Sequence, residues 1–372
     1  MFGSEAAESE DPELLKKYFF RNDAFDSIRS YLPLRILVGH KGIGKSALLT
    51  MSFLEDQDEN TLAVQLQPND IHEALNKELP LIKRIEALKL GIANIILERA
   101  INSLGYGIAP GNLEKLRLGA TRLVSEITKF AQQKIHEVSS DNLMAIMRKV
   151  ASDGVIRIYI DDVDRGWEGT KTDIENISAL LNACRDLSNE DRRLQFRIGL
   201  RTDAYFLFRT TDSSADKIDG SVVRLSWENH EILVVMAKRV ANFFDKEINA
   251  SELAQRRQIE ISRELFPIVT ERFEGSGKWN NKEIHHVLLS FVRRRPRDLI
   301  ILLKESAARA RQSRQEKITT QNIKDILPSY SQGRISDLVV EFGTELNSIE
   351  ALLINMRPTT ADMKKAEHKS TY

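Results

Sequence analysis

Residues 39–46 of the chain are Gly-His-Lys-Gly-Ile-Gly-Lys-Ser, and the fold follows from this stretch. The spacing of its glycines before Lys45 and Ser46 is typical of a P-loop, a turn whose backbone N–H groups hold phosphates. The apolar run 34–38 before it predicts a buried strand, and the sequence from Ala47 predicts a helix. Spacing and context together therefore predict a phosphate-binding turn between a strand and a helix, and they disfavour a chance Gly-Lys-Ser turn.

The chemistry of this turn predicts ATP and Mg²⁺ as ligands. Glycines allow the backbone to curl around a phosphate, and the N-terminus of the following helix favours an anion. Lys45 is expected to bridge the β- and γ-phosphates, and Ser46 to offer its hydroxyl to Mg²⁺. The predicted nucleotide contacts in this region are Gly39, His40, Lys41, Gly42, Ile43, Gly44, Lys45, Ser46 and Ala47.

A second motif, residues 155–162, is Val-Ile-Arg-Ile-Tyr-Ile-Asp-Asp and predicts a buried strand with two carboxylates at its end. Ligands bind at the carboxyl ends of the strands in open α/β sheets. Asp161 is expected to bind Mg²⁺ together with Ser46, and Asp162 to orient or deprotonate the attacking water. The next polar residues, Asp164 and Arg165, fit a helix cap and a surface base as well as they fit a site.

Arginines at three places are further candidates. Arg201 follows the predicted strand 195–200 and is expected to sense the γ-phosphate, with a surface salt bridge to Asp203 as the alternative. Arg209 is a weak candidate for an arginine finger acting across subunits. Arg297, in the basic run 293–298, is expected to reach the phosphates. This run could instead bind nucleic acid or be a solvated face.

The order of elements predicts an α/β fold. Further strands are expected at 61–67, 195–200 and 222–225, and the helical pattern between strands favours a parallel sheet. Residues 71–150 are predicted to form a helical insertion that is broken at 105–111. We predict an ATPase core over 1–228, a helical lid domain over 229–330 and a partly disordered extension over 331–372.

Composition excludes several classes of protein. The chain has 54 basic and 54 acidic residues, so net charge predicts no attraction to nucleic acid or membranes. Its single cysteine, Cys184, rules out a disulfide framework within the chain. No uncharged apolar run is long enough to span a bilayer. We expect a soluble cytoplasmic protein with no membrane partner.

Four motifs in this order resemble bacterial ATPases near the KAP and STAND groups of the AAA+ superclass. They are 39–46, Ile-Tyr-Ile-Asp-Asp-Val-Asp-Arg at 158–165, Arg-Thr-Asp at 201–203 and Arg-Pro-Arg-Asp at 295–298. The resemblance implies a five-stranded parallel P-loop NTPase core with a C-terminal helical lid. KAP proteins commonly carry membrane-spanning insertions and STAND proteins fused sensors or effectors, and the sequence shows neither. Asp162 stands where many AAA+ proteins have glutamate, which makes slow hydrolysis plausible.

The resemblance implies a Mg²⁺-dependent ATPase that works as a switch or assembly ATPase. Such a protein is expected to form homo-oligomers and to act with a separate effector protein, as in antiphage defence. The alternatives are a DNA-associated AAA+ ATPase that uses the basic residues of 293–314, and a nucleotide-binding scaffold that does not hydrolyse ATP. A small-molecule kinase is the least favoured hypothesis, because no compact second-substrate site is visible.

Overall fold

A five-stranded parallel sheet lies at the centre of the computed structural model, which describes residues 10–75, 78–106, 120–137, 141–275, 277–343 and 345–356. The strands lie in the order β2-β3-β4-β1-β5, and every neighbouring pair is parallel. All five coincide closely with the strands expected from the sequence. They are β1 (Leu34–Gly39), β2 (Leu62–Leu66), β3 (Ile156–Ile160), β4 (Leu194–Arg201) and β5 (Val222–Arg224).

The register of the sheet aligns the ends of the strands that carry the sequence motifs. Gly39, the last residue of β1, lies opposite Arg201, the last residue of β4. Ile160, the last residue of β3, pairs with Ile198 of β4. The P-loop, the acidic segment and the Arg201 segment therefore leave the sheet at one edge.

Helices surround this sheet and form the rest of the described chain. Before the sheet and within the core lie α1 (Pro12–Tyr18), α2 (Asp23–Arg29), α3 (Lys45–Asp58), α4 (Pro68–Ala74), α5 (Leu81–Ser103), α6 (Ala120–Lys134), α7 (Asp141–Asp153), α8 (Lys171–Glu190), α9 (Thr202–Thr211) and α10 (Asp216–Asp219). After the sheet come α11 (Asn229–Phe243), α12 (Ala250–Ala254), α13 (Gln258–Ser262), α14 (Ile284–Ser290), α15 (Pro296–Gln312), α16 (Thr320–Phe342) and α17 (Ile349–Asn355).

The helical insertion follows β2, and its helices α4–α7 pack on one face of the sheet. Residues of α5 and α6 share a hydrophobic cluster with Ile36 and Ile158 of the strands. The adjacent strand residues Leu37 and Tyr159 belong to a second cluster with α3 and the C-terminal helices. Because successive strand residues point to opposite faces, each face of the sheet has its own core. The predicted break at 105–111 lies largely outside the described residues.

Two short helices, α1 and α2, precede the sheet. The Asn22 side chain separates them, because it accepts a hydrogen bond from the Phe25 N–H at 3.0 Å and caps α2. The C-terminal helical part of the chain also contains a short antiparallel pair, β6 (Arg272–Phe273) with β7 (Lys282–Glu283).

The predicted fold class is confirmed: the chain has an α/β P-loop NTPase core with a helical insertion and a C-terminal helical domain. The division into domains at 228 and 330 stays a proposal. The break between β5 and α11 agrees with the first boundary, whereas α16 runs through residue 330 to Phe342. Pro328 lies inside that helix without ending it. The predicted disordered tail, 359–372, lies outside the described residues.

None of the helices in the described part of the chain combines the length and the apolar character needed to cross a bilayer.

A buried polar network joins the far end of α3 to the sheet. Asp56 is fully buried and accepts hydrogen bonds from Tyr159 Oη at 2.6 Å and from Arg157, and Arg29 also reaches it at 3.2 Å. Ser52 Oγ lies 2.8 Å from the same Tyr159 hydroxyl. The network fixes the orientation of α3, the helix that begins at the P-loop.

We expect Asp56→Ala to destabilise the protein by about 3–5 kcal/mol, because it leaves the buried Arg157 guanidinium without its carboxylate. Tyr159→Phe removes only a hydroxyl and should cost about 1 kcal/mol. Urea unfolding followed by circular dichroism measures both values. Equal losses of unfolding free energy in the two variants would contradict a central role for the Asp56 carboxylate.

Candidate functional site

The loop between β1 and α3 has the backbone that its glycines predict. Gly42 has φ of 75° and Gly44 has φ of 107°, a region that residues with a Cβ rarely adopt. Gly44 is the N-cap of α3, so the first N–H groups of this helix have no partner within it. Such a helix N-terminus is suited to binding an anion.

Contacts from the C-terminal part of the chain hold the loop in place. The Trp227 indole Nε1 donates a hydrogen bond to the Ile43 carbonyl at 2.6 Å, and Trp227 is buried. Gly42 lies against Arg297 so closely that a Cβ at this position would come within 2.9 Å of Arg297 Cδ. Glycine at 42 is therefore required by its φ angle and by this contact.

The Lys45 side chain folds back over the loop. Its Nζ donates a hydrogen bond to the Gly39 carbonyl at 2.9 Å. Burial lowers the pKa of Lys45, and the nearby carboxylates of Asp164 and Asp161 oppose this shift. Lys45 thus brings a positive charge to a buried position that faces two acids.

Asp161 and Asp162, the two acids at the end of β3, lie in different surroundings. Asp161 lies over Gly199 of β4, where a Cβ would overlap its Oδ1 atom, so the absence of a side chain at 199 makes room for the carboxylate. Asp162 has φ of 56°, and 40% of its side chain is exposed. Its carboxylate accepts a hydrogen bond from Arg165 Nε at 2.8 Å.

Asp164 is the most buried carboxylate of this segment. It is 8% exposed, and its Oδ2 accepts a hydrogen bond from the Arg201 backbone N–H at 2.8 Å. Burial raises the pKa of Asp164 to about 6, although the positive charge of Lys45 acts in the opposite direction. Carboxyl groups with such shifts are common at functional sites.

Arg201 forms a salt bridge with Asp203. This pairing is the alternative expected from the sequence, but the pair does not lie on the surface. The guanidinium donates to Asp203 through Nε at 3.1 Å and through a terminal nitrogen at 2.7 Å. The Asp203 side chain is 1% exposed, and that of Arg201 is 17% exposed. Arg201 still lines the cavity beside Lys45.

These groups line one cavity between the sheet edge and the helices. Its volume is about 430 Å³, which lies in the range of small-ligand sites. Arg297 of α15 also lines it. The Arg297 Nε atom is buried and has no hydrogen-bond partner among the described residues. A buried guanidinium N–H without a partner is a donor available to an anionic ligand.

Part of the cavity lining is aromatic and apolar. The Arg239 guanidinium lies 4.0 Å from the Tyr18 ring centroid, a cation–π contact between α11 and α1. Apolar side chains also line the cavity, namely Leu15, Phe19, Val235 and Ile300.

Most of the site residues expected from the sequence line this one cavity. They are Lys41, Gly42, Ile43, Gly44, Lys45, Ser46, Ala47, Asp161, Asp162, Arg201 and Arg297. Gly39 and His40 are not among the lining residues, and the His40 ring faces Glu341. Arg209 also lies outside the cavity, is half-exposed and pairs with Asp219 at 3.5 Å.

The basic residues of 293–314 do not form one continuous free surface. Arg293 pairs with Asp298 at 3.0 Å, Arg309 with Asp325 at 3.0 Å, and Arg295 is buried against Glu341. Four arginines of this stretch are exposed, namely Arg294, Arg309, Arg311 and Arg314.

Sequence reasoning missed several residues that build the site. Nothing in the sequence pattern places Trp227 or Glu341 against the loop near residue 40, or Arg239 in the cavity, since each position depends on how the helices pack. The sequence does offer evidence for Asp164 as a site residue, because it lies three residues after Asp161 in the same acidic segment.

Comparisons with known proteins show partial likenesses. Residues 242–339 match the family model described as the FunZ-associated C-terminal helical domain. An 80.3 kDa protein of Escherichia coli (strain K12), named for the transposon gamma-delta, is 23% identical over 94% of this chain. The alignment covers 53% of that protein, so the chain spans about half the length of this relative.

Two solved structures overlap the chain. The Aeropyrum pernix ORC2 protein, in ADPNP–ADP complexes, is 12% identical with a TM-score of 0.43, covering 86% of this chain and 71% of its own. Domain III of the Thermotoga maritima replication initiation protein DnaA is 10% identical with a TM-score of 0.41, covering 86% and 98%. Both overlaps are loose, and the fold assignment rests on the sheet and loop of this chain.

The burial of Asp164 generates a pH prediction. Its pKa in the folded protein is about 6, above its ordinary 3.8, so folding favours the protonated form. The stability that this confers is complete below about pH 4 and is lost as the pH rises through about 6. At about pH 7.5, the free energy of unfolding of Asp164→Asn should therefore exceed that of the wild type by up to about 3 kcal/mol. Urea unfolding measures this difference.

The same comparison at about pH 4 should show little difference between Asp164→Asn and the wild type. Asp162→Asn is the matched control, because it removes the same charge from an exposed side chain. A wild-type stability that does not fall relative to Asp164→Asn between these pH values would contradict the burial argument.

Proposed function

We propose that this chain binds ATP with Mg²⁺ in the cavity and hydrolyses it. The observation that carries the proposal is the convergence of opposite charges on one space. The P-loop, Lys45 and the unpartnered Arg297 nitrogen offer donors for phosphates, and Asp161 brings a carboxylate to the same wall. Donors suited to phosphates beside acids suited to a cation match a Mg²⁺-nucleotide.

The phosphates are proposed to lie on the backbone N–H groups at the start of α3. Residues 42–47 line the cavity there, and Lys45 is placed to exchange its bond with the Gly39 carbonyl for one to a phosphate oxygen. Arg297 lines the cavity from α15. Charge-assisted bonds from the loop and from this arginine would hold the phosphates between the core and α15.

Magnesium is proposed to bind to Ser46 and Asp161. Both residues line the cavity, and hydroxyl and carboxylate oxygens are the ligands that this hard cation prefers. Bound there, the ion would neutralise charge on the phosphates.

Two carboxylates are candidates to orient or deprotonate the attacking water. Asp162 is the candidate from the sequence, and it lines the cavity while pairing with Arg165. Asp164 lies deeper, and its pKa of about 6 is close to the value at which a general base works well at neutral pH. Arg201 is proposed to stabilise charge on the γ-phosphate, held in position by Asp203.

The adenine base is proposed to lie against the aromatic and apolar part of the cavity lining. Tyr18 and Arg239 offer flat surfaces there, and the surrounding side chains are apolar. A purine ring fits such a lining, because it stacks on planar groups and buries apolar surface.

A nucleotide in this position would touch both parts of the chain. The P-loop belongs to the core, and Arg239 and Arg297 belong to the C-terminal helices, so binding would hold the two together. This arrangement supports the proposal of an ATP-dependent switch or assembly ATPase. Self-assembly, a separate effector protein and a role in antiphage defence remain proposals that rest on the resemblance of the sequence motifs.

The DNA-associated alternative has less structural support. A phosphate-binding face needs accessible arginines that have no acidic partner in the protein, and Arg293, Arg295 and Arg309 are in ion pairs. We therefore favour the switch or assembly ATPase over the DNA-associated ATPase.

We expect Lys45→Ala to lower Mg²⁺-dependent ATP turnover by about 100-fold or more, since one lost donor to the reacting phosphate has an effect of this size. Phosphate release measures turnover, and EDTA should abolish it by removing the metal. The same assay on Asp162→Asn and Asp164→Asn shows which carboxylate hydrolysis requires.

Turnover in Lys45→Ala equal to that of the wild type would contradict the proposed site. Wild-type protein that binds ATP tightly but releases no phosphate would instead support the scaffold that does not hydrolyse ATP.

A second prediction concerns Arg297. Arg297→Gln should weaken ATP binding by about 10- to 100-fold, because a buried charged donor to a phosphate is lost. Titration with a fluorescent ATP analogue measures the affinity. Arg294→Gln is the matched control, since this neighbouring arginine is exposed. Equal affinities for the two variants would place the phosphates away from α15.

A further inference from the structure

Glu341, in the last turn of α16, lies against the P-loop 300 residues earlier in the chain. Its side chain is 1% exposed. Its Oε1 lies 2.8 Å from His40 Nδ1 and accepts a longer hydrogen bond, 3.3 Å, from the Lys41 backbone N–H. A buried carboxylate from the C-terminal helices therefore binds two consecutive residues of the loop.

Arg295 joins this contact from a third segment. It is the N-cap of α15, is buried, and places a guanidinium nitrogen 2.9 Å from Glu341 Oε2. The same nitrogen donates to the Lys41 carbonyl at 3.1 Å. The P-loop, the start of α15 and the end of α16 thus meet in one network.

The side chains of the network lie behind the loop, and Lys41 is its one member among the described residues that lines the cavity. The lining includes neither His40, Arg295 nor Glu341. The carboxylate consequently leaves the phosphate-facing side of the loop open. A contact of this kind fixes the shape of the loop without competing with a nucleotide.

Glu341 is charged in this position. Burial by itself raises the pKa of its carboxyl, but His40 and Arg295 lower the pKa to about 2. A buried ion bonded to several partners holds one arrangement firmly, because any displacement strips it of those partners. Movement of the P-loop and movement of the end of α16 are therefore linked.

We infer that Glu341 is a positioning residue that pre-forms the P-loop and couples its occupancy by nucleotide to the C-terminal end of α16. The inference rests on the proposed ATP site and adds a route by which the site communicates with the C-terminal segment. Coupling is reciprocal: if the end of α16 orders the loop for phosphate, then phosphate on the loop orders the end of α16.

Glu341→Gln tests the coupling with a side chain of the same shape. A neutral amide cannot replace the carboxylate that His40, Lys41 and Arg295 share, so part of the loop must be ordered when ATP binds. We expect ATP affinity, titrated with a fluorescent ATP analogue and Mg²⁺, to fall about tenfold.

Asp337→Asn is the matched control. Asp337 lies four residues earlier on the same helix and pairs with Arg334 at 3.2 Å and Arg293 at 3.7 Å, away from the loop. Its loss removes the same charge from α16, and we expect ATP affinity within about twofold of the wild type.

Amide hydrogen exchange distinguishes coupling from a structural role of Glu341. If Glu341 only stabilised the fold, its substitution would not remove the protection of α16 that ATP produces. In the wild type and in Asp337→Asn, saturating ATP should slow amide exchange in the last two turns of α16. In Glu341→Gln at saturating ATP this protection should be lost, while protection of the P-loop is kept. A circular dichroism melt confirms that each variant is folded.

Three outcomes overturn the inference: unchanged affinity with unchanged protection of α16, tighter ATP binding by Glu341→Gln, or equal effects of Asp337→Asn. Tighter binding would mean that the carboxylate competes with nucleotide. If Glu341→Gln fails to fold, His40→Ala replaces it, because it removes one loop contact and keeps the pair with Arg295; lost protection of α16 is again the expected result.

Failure of the proposed function is distinguishable from failure of the coupling. Wild-type protein that binds no ATP contradicts the ATP site itself. Wild-type binding that Lys45→Ala abolishes and Glu341→Gln leaves intact contradicts only the role of Glu341.

Discussion

Parallel strands end at the same edge of a sheet, and here β4 pairs in parallel with β1 on one side and with β3 on the other. Here the pairing of β1 with β4 places Gly39 opposite Arg201, and β3 ends beside them. The P-loop, the acidic segment and the Arg201 segment are therefore neighbours in space, although the P-loop is more than a hundred residues from the other two in the sequence. The charges that these three segments bring to the candidate site depend on this shared edge.

Burial then decides what each charged group does. Asp162, at the rim, pairs with Arg165 and stays partly exposed, whereas Asp164, two residues later, is enclosed and has a raised pKa. Lys45 shares that enclosed space, and burial lowers its pKa. Two opposite charges kept close together in a poorly solvated pocket favour a ligand that carries its own charges of both signs, as a metal-bound nucleotide does.

The sequence predicted the sheet and most of the cavity lining because both depend on short local patterns. Apolar runs that end in glycine or aspartate define strands, and the glycine spacing of residues 39–46 requires the loop that forms. Contacts made by the C-terminal helices could not be predicted in this way. Trp227 on Ile43 and Glu341 on His40 depend on the packing of α11, α15 and α16, which leaves no periodic signal in the sequence.

We propose that a Mg²⁺-nucleotide is held between the P-loop of the core and α15. A crystal structure of the protein with a non-hydrolysable ATP analogue and Mg²⁺ tests this proposal. We expect phosphates on the backbone N–H groups of residues 42–47, a metal ion bound to Ser46 and Asp161, and Arg297 on a phosphate oxygen. An analogue bound elsewhere, or one that leaves Arg297 without a phosphate contact, would contradict it.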